Sequence, residues 1–575
     1  MTAGCQVETL PKIQKSAGPA ESQVPASPSM IRLLGLALAG AALLWLCYFP
    51  ANWGWLAWVA LVPLLALVKS TAAPRRIYLA AWVGGMAFFL ASLQWLRVAD
   101  YRMYFTWAAL ATYCSLYFPA AIFLMRRLDQ GTRLPLVLTV PIAWTALEYA
   151  RAHLMEGFAW YFLGHTQHAF LPIIQIADLG GAYAVSVLVA AVNAMAFTFL
   201  CTRRGFRSLL SLPAASAPTS WKSVILQTGP VLFLLGATLG YGWWRIGQNE
   251  FEPGPRLALL QGSLDQRIRN DTDAQEESLK LVRKHFRKLA DDAALQRPDL
   301  IVWPETSFVY SWSETPADLP AAELPAAWQN ANDGRARQAR DVAMLWGTNS
   351  LLGVNADELR PDGWERRHNS AVLVRKDGQI GERYDKIHCV PFGEYVPFRD
   401  SLPWMKKFAP YDFDYSVTPG VEIKRFPLGA FHFGVLICYE DTDPDLARQY
   451  VRPEVGKPAT DFLINISNDG WFDGTSEHEE HLAICRFRAV ECRRAVARAV
   501  NMGISAVIDG NGRVTDLPGA SWEQSKKVEA VLTASVPIDH RVSMYARWGD
   551  WVPATCWLSL AVGLVFGRLR PARAK

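Results

Sequence analysis

The sequence predicts two fold classes in one chain: an α-helical domain crossing a membrane about eight times, and a layered α/β domain. Three observations lead there. Leu, Ala, Trp, Phe and Val dominate residues 31–245, whereas residues 250–545 carry the charge density of an ordinary soluble domain. The apolar part breaks into runs near the roughly 20 residues that a helix needs to cross a bilayer. The soluble part alternates short β-branched runs with amphipathic segments, the pattern of strands and helices in layers. A length of 575 residues fits several domains.

Runs bounded by charges or proline place spans at 31–49, 52–69, 77–96, 104–125, 134–150, 180–201 and 229–245, with an eighth at 551–568. Positive charge then orients them, because cytoplasmic loops collect Lys and Arg. Lys69, Arg75 and Arg76 separate spans two and three; Arg126, Arg127 and Arg133 separate four and five. Arg203, Arg204, Arg207 and Lys222 separate six and seven, and Arg568, Arg570, Arg573 and Lys575 follow the last. These alternate loops share one side, so the amino terminus is cytoplasmic and residues 250–545 lie outside. The expected division is a disordered cytoplasmic tail at 1–29, a seven-helix membrane domain at 30–248 and a layered α/β domain at 249–546. Residues 547–575 hold the eighth span and a basic tail. Positive-inside loops account for much of the net charge of +5, which therefore implies no nucleic-acid partner. The first 29 residues lack the apolar core of a cleavable signal, so the first span reads as a signal-anchor, and Thr2-Ala-Gly-Cys5 as a chance likeness to a lipid-attachment box.

Strands are expected at Arg256–Gln261, Leu300–Trp303, Ala343–Gly347, Ser370–Val374, Phe433–Ile437, Phe462–Ile466, Val496–Val500 and Ser505–Asp509. Helices are expected at 272–294, 333–341 and 476–494, and Ser313 to Gly334 reads as a surface insertion.

Nine cysteines do not make a disulfide framework here. Cys47, Cys114, Cys201 and Cys556 fall in or beside spans, Cys485 and Cys492 lie seven apart on one helix, and no CxxC pair occurs. That leaves Cys389 and Cys438 near polar turns. His478, His481 and Cys485 share a helical face that zinc could use, but a solvated face with two histidines is the commoner meaning. No metal and no cofactor is expected.

Cys438 ends the run Phe431-His-Phe-Gly-Val-Leu-Ile-Cys438, a buried strand delivering a thiol into a Tyr-Glu-Asp turn. A free thiol has a pKa of about 8.5 and only its thiolate attacks well, so a base or cation must stand nearby. Glu305 ends Leu300-Ile-Val-Trp-Pro-Glu305, and Lys386 lies in Arg383-Tyr-Asp-Lys386. A buried carboxylate can take the thiol proton and a lysine can stabilise an oxyanion. Each has a plainer reading: Glu305 as a turn cap, Lys386 as a surface charge, Cys438 as core.

Trp303-Pro-Glu305, Tyr384-Asp-Lys386 and Ile437-Cys-Tyr-Glu440 resemble the Glu-Lys-Cys motifs of the nitrilase (carbon-nitrogen hydrolase) superfamily, whose domains are αββα sandwiches. Along nearly its whole length after residue 30, the chain resembles the bacterial apolipoprotein N-acyltransferases. The closer likeness rests on Gly54-Trp-Leu-Ala-Trp58, Gly157-Phe-Ala-Trp160, Phe392-Gly-Glu394, Asn468-Asp-Gly-Trp-Phe472, Arg488-Ala-Val-Glu491, Asn501-Met-Gly503 and Gly549-Asp-Trp551, in that order.

The resemblance implies a two-step acyl transfer at the periplasmic face of the bacterial inner membrane. Cys438 would take an acyl chain from a phospholipid donor, most plausibly sn-1 of phosphatidylethanolamine, as a thioester. The amine of a diacylglyceryl-cysteine apolipoprotein would then accept it. Glu305 is the implied base and Lys386 the oxyanion partner; Glu394 supports Lys386, and Tyr439 and Glu440 flank the nucleophile. Trp404, Met405 and Phe408, in an apolar stretch with Lys406 and Lys407, and Trp471 are candidate substrate or lid residues meeting the bilayer. A monomer is expected. Three positions depart from the family pattern: Ala159 for a proline, Glu480 for a glutamine, and Asn270 where a tryptophan is frequent. A membrane-tethered amidase, in which water resolves the thioester, is the alternative.

Overall fold

The computed structural model describes residues 27–569 apart from 133, 219, 267–274, 311, 316–319, 321–323, 361–364, 397–400, 402–403, 406–415 and 454–458. Helices α1 (Met30–Cys47), α2 (Val62–Lys69), α3 (Pro74–Ser92), α4 (Met103–Ser115), α5 (Tyr117–Gly131), α6 (Leu136–His153), α7 (Ala177–Leu200) and α8 (Trp221–Gly247) make the amino-terminal domain. Among the described residues, five helical segments are long and apolar enough to cross a membrane: Met30–Cys47, Pro74–Ala99, Met103–Gly131, Ala177–Leu200 and Trp221–Gly247. This is a membrane protein.

The second expected span is shorter than anticipated. It is a 3₁₀ turn at Gly54–Trp58 followed by the eight-residue α2. The break is satisfied from α7, where Asn193 Oδ1 accepts the Leu61 N–H at 2.8 Å and Nδ2 donates to the Ala57 carbonyl at 2.7 Å. Irregular backbone survives among apolar helices only when such partners exist.

The second domain is an αββα sandwich. One sheet runs β13-β1-β2-β4-β5-β6 with β3 on β4, the other β12-β11-β10-β9-β8-β7. Its strands are β1 (Glu252–Gln261), β2 (Leu300–Val302), β3 (Trp312–Glu314), β4 (Asn349–Leu359), β5 (Glu365–Val374), β6 (Ile380–Asp385), β7 (Arg425–Leu428), β8 (Phe431–Ile437), β9 (Phe462–Ser467), β10 (Ala495–Val500), β11 (Ala506–Ile508), β12 (Val514–Asp516) and β13 (Ala530–Ile538). Alternation along each strand assigns the faces. Leu257, Leu259, Val435, Ile437, Ile464 and Ile466 meet in the core between the sheets. Ala258 and Leu260 face α9 (Gln275–Leu295) and α10 (Ala326–Trp346), while Leu436 and Leu463 face α11 (Pro444–Val451) and α12 (Glu477–Cys492). Helix α13 (Trp551–Leu569) returns to the membrane domain, where Cys556 and Leu560 pack with Leu128 and Ala146.

The expected strand at Ala343–Gly347 is instead the end of α10. Ala339, Val342, Ala343 and Trp346 are its buried face, a helical spacing that a five-residue apolar run does not distinguish from a strand. Gly347, at φ +63°, closes the helix by donating to the Ala343 carbonyl, and the strand begins two residues later. The expected insertion at Ser313–Gly334 instead contributes β3 residues and the first turns of α10, which also absorbs the helix expected at 333–341.

Helix α12 is buried on every side rather than solvated on one. Its inner face lies on the second sheet, and its outer face carries charged groups into the membrane domain. Glu491 Oε1 accepts the Ala182 N–H at 2.7 Å, and Arg486 donates to the His168 carbonyl at 2.6 Å. Just past the helix, Arg493 Nη2 lies 2.6 Å from Asp178 Oδ2, which also pairs with Arg245 at 2.7 Å. The α/β domain is thus seated on the membrane helices through buried polar contacts.

Candidate active site

Three strand ends converge at one edge of the sandwich. Strand β2 runs through Trp303 and Pro304 to Glu305, β6 ends one residue before Lys386, and β8 ends one residue before Cys438. Parallel pairing of β1, β2 and β4 in one sheet and of β8, β9 and β10 in the other aims their carboxyl ends the same way within each sheet. Loops at such ends are where α/β folds place ligands.

Cys438 has φ +54°, a left-handed conformation that costs a non-glycine residue about 1–3 kcal/mol. The turn is over-determined by its neighbours. Glu440, fully buried, takes the N–H groups of Ile387 and His388 and the Tyr384 hydroxyl on Oε1 at 2.6, 3.1 and 2.8 Å. Its Oε2 takes the Ile437 N–H at 2.7 Å, and Asn465 Nδ2 holds the Cys438 carbonyl at 3.1 Å. Burial pushes the Glu440 carboxyl up to about 7. Glu440 is therefore a brace between the nucleophile turn and the lysine loop.

The lysine is buried, with its ammonium between two carboxylates. Lys386 Nζ lies 2.9 Å from Glu394 and 3.4 Å from Glu305 Oε1. Burial alone lowers its basicity, but Glu394 and Glu305 outweigh that and hold the ammonium well above its ordinary value. Lys386 is a fixed cation.

Glu305 is aimed by groups from both sheets. Asn369 Nδ2 donates to Glu305 Oε1 at 2.7 Å and to Glu394 Oε1 at 2.9 Å, while the Asn468 N–H donates to Glu305 Oε2 at 3.0 Å. Glu394 Oε2 accepts the Val390 N–H at 2.8 Å. Asn369 was not singled out from sequence; its signal is a polar residue opening the apolar run of β5 and facing the core of the site. Asn468 stands in a recognised motif but its contact is made by backbone, which carries no side-chain signal.

Burial pushes the Cys438 thiol well above its ordinary range, and the charge of Glu305 adds to that against the opposing charge of Lys386. The resting group is a thiol within the field of Glu305 and Lys386. Sequence reasoning thus named Glu305, Lys386, Glu394 and Cys438, and the structure brings all four into one electrostatic cluster.

Both parts of the chain resemble known proteins. Residues 40–195 match the apolipoprotein N-acyltransferase N-terminal domain, and residues 256–544 match the carbon-nitrogen hydrolase family. The apolipoprotein N-acyltransferase of Geobacter metallireducens is 34% identical over 88% of this chain and 90% of its own. The chain belongs to the apolipoprotein N-acyltransferase family. The Rhodopirellula baltica member is 28% identical over 92% of this chain and 96% of its own. A CN-hydrolase superfamily structure from Xanthomonas campestris is 19% identical, covers 54% of this chain and 97% of its own, and gives a TM-score of 0.33.

The two family regions meet beside the nucleophile. The Tyr439 ring stacks on Trp160 with centroids 6.4 Å apart and planes 3° from parallel, and His388 meets its edge at 5.3 Å. Trp160 continues to Trp95 at 5.5 Å, and Trp95 to Phe472 at 4.8 Å. Trp471, half-buried, belongs to this same turn after Asn468. Trp404 is 53% exposed and Met405 half-buried; Phe408, Lys406, Lys407 and Asn270 lie outside the described residues. Ala159 is buried in the loop against Tyr439.

The histidines of α12 are engaged inside the protein. His478 Nε2 contacts the Asp469 carbonyl at 3.1 Å and His481 Nε2 contacts Asp441 Oδ1 at 2.7 Å. Asp469, Glu477 and His481 gather closely, and the Arg498 guanidinium lies against two of them, 2.8 Å from both Asp469 and His481. A cation already neutralises this group.

Proposed function

We propose that this chain transfers a fatty acyl group from a phospholipid, through a thioester on Cys438, to the amino-terminal amine of diacylglyceryl-cysteine in apolipoproteins. The observation that carries the reading is the cluster of buried Glu305 and Lys386 with half-buried Glu394 beside the strained Cys438 turn, seated on membrane helices. Family membership and the relatives' shared name support the same activity.

In the first half-reaction Glu305 takes the Cys438 proton as sulfur attacks the donor's ester carbonyl. Lys386 and the Tyr439 N–H stabilise the oxyanion. The tetrahedral adduct collapses with loss of the C–O bond, and Glu305 returns the proton to the departing lysophospholipid. In the second half the neutral amine attacks the thioester carbonyl. Glu305 accepts a proton from the nitrogen, the C–S bond breaks, and the proton passes to sulfur, restoring the thiol. Lys386 keeps its proton throughout, because Glu394 stays ionised 2.9 Å away even while Glu305 carries a proton. Glu394 therefore sets the charge balance and not the proton transfer itself.

Both substrates are lipid-anchored, so a site fixed at the membrane surface replaces a search in solution with a lateral one. The sn-1 chain of phosphatidylethanolamine is the favoured donor and a monomer the working unit. The membrane domain comprises residues 30–248 with an eighth span in 547–575, and the catalytic domain, residues 249–546, faces the periplasm at the inner membrane. Trp404, Met405 and Trp471 serve as the lipid-facing wall and lid.

The test supplies acyl-labelled phosphatidylethanolamine to the purified enzyme in detergent. Expected is a hydroxylamine-sensitive label on the protein that is absent in Cys438→Ala and passes to an added diacylated lipopeptide. Label released only as free fatty acid contradicts acyl transfer.

A further inference from the structure

Tyr161, in the loop behind Trp160, has more hydrogen-bond partners than one hydroxyl proton can serve unless one partner donates back. Its oxygen lies 2.9 Å from the Trp95 Nε1–H, 2.7 Å from the Ser92 carbonyl and 2.7 Å from Glu480 Oε2. The indole can only donate and the carbonyl can only accept. The single Tyr161 proton therefore goes to Ser92, and nothing but a proton on Glu480 can occupy the third contact. Two bare oxygens 2.7 Å apart would repel.

From this census we infer that Glu480 is a neutral carboxylic acid, protonated on Oε2, that positions Trp160 and Tyr161 against the nucleophile turn. The same Oε2 accepts the Trp160 Nε1–H at 2.8 Å, and Trp160 is the ring stacked on Tyr439, the residue next to Cys438. One atom thus gives a hydrogen bond to Tyr161 and takes one from Trp160. A hydroxyl oxygen of a carboxylic acid has that capacity. A glutamine does not: at the same place it offers either an amide nitrogen, which turns the Trp160 donor away, or an oxygen, which leaves Tyr161 without its donor.

The surroundings favour the neutral form. Glu480 is 4% exposed, and burial pushes its carboxyl well above the usual range despite the contacts with Tyr161 and Trp160. Two more acids of its own helix, Glu477 and Glu479, add to that push. From the membrane side it faces Tyr48 and Cys47 at the end of α1 and His165 and His168 in the loop, none of which is a fixed cation. Its Oε1 has no partner among the described residues and lines a small cavity with Tyr48, His165 and His168. The inference deepens the acyl-transfer reading by adding a positioning residue, but its decisive readout does not use activity.

That readout is infrared difference spectroscopy of the full-length protein in detergent, comparing wild type with Glu480→Gln. A protonated-carboxyl C=O component present in wild type at neutral pH and lost in Glu480→Gln supports the assignment. An unchanged acid C=O region in a folded Glu480→Gln protein overturns it. Should Glu480→Gln not fold, Tyr161→Phe removes the acceptor of the Glu480 proton. The weakened hydrogen bond then moves an acid component to higher frequency, and an unmoved spectrum overturns the inference. In acyl transfer, wild type acquires an alkaline decline that Glu480→Gln lacks; an identical decline in both contradicts the positioning role even where the infrared assignment holds.

Discussion

The Glu440 carboxylate accepts the Ile387 N–H at 2.6 Å, tying the loop that carries Lys386 to the turn that carries Cys438. Four donors converge on this one side chain: the hydroxyl of Tyr384 and the N–H groups of Ile387, His388 and Ile437. Each buried donor left unmade costs about 1–3 kcal/mol. Glu440→Ala therefore loses several kcal/mol, a large part of the stability of a typical domain. Glu440→Gln retains one good oxygen and turns its amide toward one donor, for a smaller loss. Thermal unfolding in detergent orders them wild type, then Gln, then Ala.

Lys386 is predicted to govern the first chemical step. Lys386→Met removes the cation facing the oxyanion and leaves Glu305 and Glu394 to repel each other. Loss of one such stabilising group costs on the order of 10²–10³ in rate. Single-turnover thioester formation from labelled phospholipid measures it.

Asn369 holds both glutamates through one amide nitrogen. Asn369→Ala should slow thioester formation by less than Lys386→Met does, since the cation remains. Asn369→Asp places a third carboxylate against the same lysine and should be the more damaging of the two, despite being the closer in shape. Equal effects would argue against an electrostatic role.

Glu491 gives a pH dependence to the seat between the domains. Burial pushes its carboxyl up to about 7, against the opposing charge of Arg488. In the unfolded chain the same group titrates near 4.3. A raised folded value means the stabilising contribution is complete below the unfolded value and is lost as pH rises through the folded one. The apparent melting temperature should fall between about pH 4 and pH 7, and Glu491→Gln should flatten that fall.

Asp178 and Arg493 join the membrane helix α7 to the end of α12 at 2.6 Å, both buried. Arg493→Ala leaves the Asp178 carboxylate with Arg245 as its one cation, beside the Tyr241 hydroxyl. Removing one partner of a buried pair costs about 3–5 kcal/mol. The expected outcome is early unfolding in detergent scans, with Asp178→Asn at least as damaging, because it leaves two buried guanidiniums, Arg493 and Arg245, without their shared counter-charge.

Much of the site was legible because its groups sit at the ends of regular elements. Glu305 and Cys438 close short apolar runs that read as buried strands, and the charge contrast between the chain's two parts separated membrane from soluble domain. Elements whose pattern is shared between helix and strand were less legible. The Ala343–Gly347 run is apolar in either reading, and only the helical spacing from Ala339 to Trp346, seen with its cap, decides it. Helix α12 was misread as half-solvated because its charged residues are buried by partners more than 300 residues away, such as Ala182 and Asp178. Asn369 and the backbone of Asn468 were missed for a related reason: their role is set by what faces them across the sandwich. Glu480 was visible as a departure from the family pattern, but its meaning depends on the three contacts of Tyr161.

The central claim is that the acyl chain rests on Cys438 between donor and acceptor. Mass spectrometry of the enzyme quenched after reaction with phosphatidylethanolamine alone tests it most directly. One added acyl group is expected, mapped to the peptide containing Cys438, removed by hydroxylamine and discharged on adding a diacylated lipopeptide. An acyl group mapped elsewhere, or transfer to the lipopeptide with Cys438 never modified, would contradict it.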